Sequence, residues 1–597
     1  MITTFTHSLK LLIAVFCFLP YLGKLKAQCT INTAVNASEI SDMSSEWPFS
    51  NLMKIAGTWK TAVSGTDYNQ LIDASNLQNA NIDANGYVKR VPFNYNGNDY
   101  LVYNEFNNTN TLPLGNYTVL WDGIGTISVN GSFEILSTNG NSINFRINRT
   151  LGNIGRIIII SSNESNNVKN IRILLPGTQN TYLANPFNPA WTSKMSAFRV
   201  VRFQQWIGEN FDGNTNWNER SNENNYSFNL KGVPVETIVK FCNDYQHDAW
   251  INIPYNASDN YISALAQYLK TNLNINRKIY VEFSHELYDD NNLQTQYLKN
   301  NLPNNLAWPL NLGQKINSIM SIFKQTFALQ PQRLKCLFDT ENSNPIFTQN
   351  VLQQISNENI DILSTSCKIK ANSNENFTTI QDIANSLNQY INNDLEFDLS
   401  NTISTANNLG LEFHISKASI ALNNVQSELA QSIQSSNIYA EIVNNFINKI
   451  YLLNNNQNFI YACSNLCNNF ENVSEIGLMQ SLNINSPYNV SAPAYDAFTQ
   501  FNNCLISGTN ENINQNNSLT IMPNPSNGLF KISLPTNLNQ IKNFSIQILD
   551  ERGVLIEQVN TEQDNFYDFS RKLNSGIYLV QLNSAEEKYF GKLVIVK

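Results

Sequence analysis

Between about residues 188 and 505 the chain repeats one pattern: a short apolar strand, then a helical stretch, then another strand. The strand segments are Ala197 to Phe203, Trp250 to Ile253, Lys278 to Phe283, Leu334 to Phe338, Ile360 to Ser364, Gly410 to Ile415 and Phe459 to Cys463. Helical periodicity lies between them: Pro234 to Tyr245, Asp259 to Leu273, Gln294 to Leu302, Leu312 to Ala328, Gln381 to Ile391, and one or two helices over Val425 to Leu453. Consecutive parallel strands need a crossover of a dozen or more residues, usually a helix. A chain patterned this way therefore closes into a (β/α) barrel or opens into a doubly wound sheet. No glycine-rich phosphate loop follows any strand, which disfavours a nucleotide-binding sheet. The expectation is an α/β, TIM-like (β/α)8 barrel over residues 188–505.

The flanks read differently. Residues 28–187 are rich in short alternating segments, among them Tyr117 to Trp121, Thr126 to Val129, Ser132 to Leu136, Ile143 to Ile147, Ile154 to Ser161 and Val168 to Leu175. Asn-Gly pairs at 130–131 and 139–140 supply turn chemistry. This predicts an N-terminal β-sandwich-like domain. Residues 506–518 are a polar linker, and 519–597 form a second all-β module of short strands. Residues 1–27 predict a signal peptide: Lys10 precedes the apolar run Leu11 to Leu19, and Ala27 offers a small residue for cleavage. No later segment is long and apolar enough to span a bilayer, so no transmembrane segment is expected in the mature chain.

Charged residues make up only 14% of the chain and the net charge is −9. With no basic run or patch, nucleic acid is not an expected partner. Export permits disulfides, and Cys463 with Cys467 could pair locally. Neither the cysteines nor the histidines have zinc-site spacing, so neither a metal nor another cofactor is expected.

The stretch best suited to chemistry is Ile279-Tyr-Val-Glu-Phe-Ser-His-Glu-Leu-Tyr288, a strand ending in Ser-His-Glu just before a helix. It resembles the fourth barrel strand of the clan A glycoside hydrolases, which ends in Asn-Glu with that Glu as general acid/base. The resemblance places Glu286 on the acid/base, with His285 where the family has Asn. In that clan the second carboxylate ends strand seven. Counting strands back from the C-terminal one brings this role to Glu412 in Leu411-Glu-Phe-His-Ile-Ser416, with His414 on the same face. Asp339 and Glu341 after the fifth strand are the competing acids.

Phe198-Arg-Val-Val-Arg-Phe-Gln-Gln-Trp206, Trp217-Asn-Glu-Arg220, Gly232-Val-Pro-Val-Glu236 and Trp250-Ile-Asn-Ile-Pro254 resemble a family of secreted bacterial proteins of glycoside hydrolase type. That resemblance implies a polysaccharide or glycan as ligand. Trp206, Trp217 and Tyr255 would stack on sugars, and Arg202, Asn210, Arg220, Asn252, His285 and His414 would make polar contacts. In the C-terminal module, Met522-Pro-Asn-Pro-Ser-Asn-Gly528, Ser575-Gly-Ile-Tyr-Leu-Val-Gln581 and Lys592-Leu-Val-Ile-Val-Lys597 resemble the type A sorting domain of type IX secretion. This implies engagement of that machinery and an extracellular or outer-surface destination.

Two functions follow. One is a polysaccharide-cleaving enzyme of the retaining kind, with Glu286 as acid/base and Glu412 as nucleophile about 5–5.5 Å apart. The other is a glycan-binding surface protein or adhesin on a barrel of the same type without catalysis. A metal-dependent hydrolase built on His285 and His414 fits no recognisable ligand spacing.

Overall fold

A computed structural model describes residues 31–503, apart from 66–80, 108, 209–215, 304–305, 424, 456, 458, 469–474, 481 and 483–491, and most of 519–595. The expected signal peptide and linker, together with Cys29, Asn210 and Cys504, lie outside the described residues. The chain divides into two compact units, one of Thr30–Asn502 and one holding Asn503–Lys597.

The larger unit is organised by eight parallel strands: β1 (Ile31–Asn36), β2 (Val200–Arg202), β3 (Asp248–Ile253), β4 (Ile279–Phe283), β5 (Leu334–Thr340), β6 (Ile362–Lys370), β7 (Glu412–Ala421) and β8 (Phe459–Cys463). Each pairs with the next, and β8 returns to β1 through five register pairs from Ile31↔Phe459 to Val35↔Cys463. The sheet is therefore a closed barrel, as the strand–helix rhythm predicts. The C-terminal seven strands overlap the segments that the periodicity places, with β6 and β7 running on past their predicted ends at Ser364 and Ile415.

Strand β1 does not. It lies within the segment expected to be wholly β-rich domain, and the chain leaves the barrel after Asn36 and re-enters at Val200. Ile-Asn-Thr-Ala-Val-Asn is short and half polar without strict alternation, and among the described residues the first α-helix after it is Pro189–Met195, just before β2. Its barrel role exists only through partners more than 160 residues away.

Within that excursion two antiparallel sheets form. One orders Lys169–Leu174, Asn116–Asp122, Ser142–Ile147 and Phe133–Asn139; the other orders Lys60–Val63, Asn98–Phe106, Gly155–Ser162 and Gly125–Gly131, with Phe93–Tyr95 on Asn98–Phe106. Gly123 separates two of these strands at φ +91°, where an added Cβ would lie 2.0 Å from Asn167 O, so only glycine fits. The buried residues of this region and those between the barrel and its helices belong to one continuous hydrophobic cluster. It encloses Phe49, Phe187, Trp191 and Trp206, whose rings lie in mutual contact.

Inside the barrel, alternate residues point to the axis. Ala34, Val200, Trp250, Tyr280, Leu337, Ile362, Ile460 and Ala462 make a separate buried cluster from seven strands. Strand β7 contributes His414 instead, its ring 6.5 Å from that of Tyr280. The barrel centre is thus packed, and chemistry is left to the strand ends.

In the second unit, Thr520–Met522, Leu529–Ser533 and Phe566–Asp568 form one antiparallel sheet, and Leu555–Thr561, Phe544–Leu549, Gly576–Asn583 and Lys588–Ile595 another. Eleven buried apolar residues, including Phe530, Ile548, Val580 and Leu593, fill this unit's own core. Among the described residues no helix is long and apolar enough to cross a membrane.

Candidate active site

Four strands, β2, β4, β5 and β7, bring charge to the C-terminal end of the barrel. Arg202 ends β2 and Glu282 lies on β4, both pointing to the axis and only 1% exposed. They form a two-pronged pair, Nε to Oε2 at 3.0 Å and Nη2 to Oε1 at 2.8 Å. Arg202 Nη1 also donates to Asn36 Oδ1 at 2.9 Å and to Gln204 Oε1 at 2.8 Å, and Trp250 Nε1 donates to Glu282 Oε2 at 2.8 Å. Two opposite charges at inward positions of apolar strands must find each other, because neither is tolerated alone in a packed interior. That signal was present in Val200-Val-Arg202 and Val281-Glu-Phe283, and the sequence reading passed over Glu282.

The backbone leaving β4 turns sharply. Ser284 has φ +54° and Glu286 φ +48°, and Gln205 across the mouth has φ +64°. Left-handed conformations in non-glycine residues cost roughly 1–3 kcal/mol and gather where a site dictates direction. Asn252 holds this turn, its Nδ2 donating to Ser284 O at 2.7 Å. His285 is buried beside Gln294, whose Nε2 donates to His285 O at 3.0 Å and lies 3.3 Å from the ring Nε2.

Glu286 emerges with its side chain 28% exposed, and Lys417 Nζ lies 3.3 Å from its Oε1. Burial raises its pKa, but Lys417 and other nearby positive charge outweigh this, and the carboxyl sits below its ordinary value. Asp339 on β5 behaves oppositely. Burial, reinforced by the nearby Glu282 charge, pushes its pKa up to about 7, although Arg202 and Ser364 pull the other way. Ser364 Oγ donates to Asp339 Oδ1 at 2.8 Å. Glu282, His285, Glu286 and Asp339 line one cavity of about 10 Å³, close to the space of a single water.

Glu412 is not part of this group. It is the first residue of β7, at the N-terminal end of the barrel, where it pairs with Lys335 at 2.7 Å and His414 at 3.2 Å. Lys335 is level with Tyr280 on β4. From Tyr280 to Phe283 alone the strand rises about 10 Å, before the turn that carries Glu286. That exceeds the ~9.5 Å limit for two carboxylates sharing one glycosidic bond. The expected pairing of Glu286 with Glu412 is therefore corrected. Strand β7 runs on to Ala421, past the predicted end at Ile415, so Ser416 and Lys417, not Glu412, reach the mouth.

The other expected contacts divide similarly. Asn252 and His285 lie at the mouth, and Arg202 lies beneath it. Tyr255, 2% exposed, packs edge-on against Tyr297 with ring centres 4.9 Å apart. Trp206 is a core residue, 1% exposed, with Nε1 donating to Ser38 O at 2.8 Å. Trp217 and Arg220 stack on each other at 4.0 Å beside the outer helix Asp259–Asn272, where Trp217 meets Tyr261 and Tyr268. The sequence reading made both tryptophans candidate sugar platforms; core packing claims Trp206, whereas Trp217 is only half-buried. His414 lies with Glu412 at the far end, so His285 and His414 do not converge on a metal. Cys463 and Cys467 are separate buried thiols, not the expected pair.

A family model described as the Secretion system C-terminal sorting domain matches residues 520–596. The chain carries that sorting domain at its C-terminus. It indicates export to the extracellular space or outer surface, and the two-sheet unit described above is that domain. A comparison with curated proteins gives no match. Solved structures similar to the chain include native xylanase10C from Cellvibrio japonicus, at 11% identity and TM-score 0.32 over 75% of this chain and 98% of that one. A glycosylated endo-beta-1,4-xylanase of glycoside hydrolase family 10 from Gloeophyllum trabeum aligns at 14% identity and TM-score 0.32, covering 54% and 91%. The family 51 arabinofuranosidase from Xanthomonas axonopodis pv. citri aligns at 9% and 0.35, covering 69% and 76%. At such scores the barrel assignment rests on the strand pairing itself.

Proposed function

We propose that this chain is an exported glycan-binding protein built on a barrel of glycoside hydrolase type that lacks that clan's second carboxylate. The observation that carries the reading is the end of β7. It presents Ser416 and Lys417 where the clan A pattern has a nucleophile, and Lys417 is paired with Glu286. Hydrolysis needs one carboxyl that keeps its proton and one that stays ionised, facing each other across the scissile bond. An ammonium on Glu286 favours the ionised form and opposes proton donation. The resemblance of residues 190–500 to secreted glycoside hydrolases supports a glycan as ligand.

One observation favours a second reading. Asp339 and Glu286 stand on adjacent strands, line one cavity and have pKa values moved in opposite directions. Asp339 as acid with Glu286 as base or nucleophile would be a hydrolase using strands four and five.

The test is to incubate the chain with plant, algal and microbial polysaccharides and measure both retention and reducing-end release. Retention without release supports the binding protein. Release abolished in both Glu286→Gln and Asp339→Asn would replace it with the hydrolase. Neither retention nor release on any polysaccharide would refute both readings.

A further inference from the structure

A second, larger cleft lies away from the small cavity at the barrel mouth. It has a volume of about 540 Å³ and sits where β6 and β7 end, beside the helices Ile380–Asn393 and Leu395–Leu409. This is within the ~300–1,000 Å³ range of ligand pockets, whereas the mouth cavity admits a single water. Strands β6 and β7 remain paired as far as Lys370↔Ala421, so the cleft is on the C-terminal side of the barrel.

Its lining is chemically specific. Asn372, Ser373, Gln389 and Asn423 offer neutral amides and a hydroxyl, which both donate and accept. Asp398 is an acceptor held in place by the Tyr390 hydroxyl, which donates to its Oδ2. Against a single lysine, Lys370, stand two carboxylates, Asp394 and Asp398, so a phosphate or other anion would be repelled. Sugar hydroxyls, which donate and accept at once, match such a lining.

A second observation points to the same class of ligand. Phe397 is 82% exposed, although Leu395 and Leu399 on the same helix are buried. It is flanked in sequence by two lining residues, standing next to Asp398 and three residues after Asp394 at the helix N-cap. An aromatic face beside a rim of amides and carboxylates is suited to the apolar face of a pyranose ring.

We infer that this cleft, with Phe397 at its edge, is a saccharide-binding site separate from the barrel mouth. The inference rests on the glycan-binding reading and assigns that binding to a place. Its test is calorimetric titration of the full chain with cellohexaose, xylohexaose, mannohexaose and laminarihexaose. The variants are Gln389→Ala/Asn423→Ala, Phe397→Ala and, at the mouth, Glu286→Gln, with thermal unfolding confirming that each is folded. The expected result is binding of at least one hexaose by the unaltered chain, weakened tenfold or more by both cleft changes. Binding within twofold of the unaltered chain in both cleft variants, but lost in Glu286→Gln, would overturn the cleft and leave the glycan reading standing. No binding of any hexaose by the unaltered chain would overturn the cleft; retention on a polysaccharide in the assay above would still preserve the wider reading.

Discussion

Replacing Arg202 with Met tests how the barrel is held together beneath its mouth. The guanidinium makes four hydrogen bonds, two of them to Glu282, and both side chains are at most 2% exposed. Arg202→Met keeps the packing length but leaves Glu282 with only the Trp250 Nε1 donor. Breaking a buried pair from one side costs about 3–5 kcal/mol, because the remaining charge is uncompensated. The unit Thr30–Asn502 spans roughly 470 residues. At ~2.1 cal/mol/K of unfolding entropy per residue, its total is about 1 kcal/mol/K, so the expected Tm loss is about 3–5 °C. Adding Glu282→Gln removes the stranded charge and keeps an acceptor for Trp250. The double variant should therefore recover at least half of the loss. Urea and thermal unfolding followed by tryptophan fluorescence would measure both. A double variant less stable than Arg202→Met would refute the reasoning, since the penalty would then not come from unpaired charge.

Three further outcomes are expected. Asp339 has its folded pKa raised to about 7 from an ordinary 3.8, so the stability it contributes is full below ~4 and lost as pH rises through 7. Asp339→Asn should remove up to about 4 kcal/mol of difference between pH 4 and 8, and identical slopes in urea titrations of the two proteins would contradict this. Glu412→Gln should leave glycan binding unchanged, because the residue sits at the opposite end of the barrel. Glu412 titrates at about 2 because its bonds to His414 and Lys335 outweigh burial, so what it contributes is present above ~4.5 and lost in stronger acid. With its side chain 46% exposed, that contribution is under ~1 kcal/mol, checked by unfolding at pH 7 and pH 3. Ser284→Gly relieves a left-handed φ and removes a buried hydroxyl, and should raise the urea midpoint by the equivalent of up to ~1 kcal/mol. A lower midpoint would mean that the hydroxyl has a structural role.

How much of this was legible depended on whether the signal was local. Seven barrel strands and most strands of the excursion follow from periodicity within windows of ten to twenty residues, whereas periodicity left Val425 to Leu453 open between one helix and the two observed. The position of Glu286 was legible because it follows, by three residues, a strand that reads unmistakably as one. Glu412 was misplaced because Gly410 to Ile415 marks only the first half of β7. The continuation through Lys417-Ala-Ser-Ile-Ala421 carries a bulge between Ile415 and Ala418 that interrupts the alternation. A strand read as six residues put the acid near the wrong end. Trp206 shows the converse difficulty: a tryptophan's burial is set by neighbours from distant segments, here Ser38. The cleft was invisible for the same reason, since its lining comes from four separate stretches between Lys370 and Asn423.

The position of β1 fixes the order in which the barrel can be assembled. Its partners are residues 200–202 and 459–463, so the first stave to leave the ribosome gains its second neighbour only when the last has been made. Until residue 463 has been made, one side of β1 has nothing to bond to, whereas the excursion between Lys60 and Leu174 can already pair its own strands. Joining ends so far apart in sequence adds little to the equilibrium cost, because loop entropy grows only with the logarithm of length. It weighs on the rate instead, since non-local pairing slows folding. Ring closure, not core packing, is therefore the expected bottleneck.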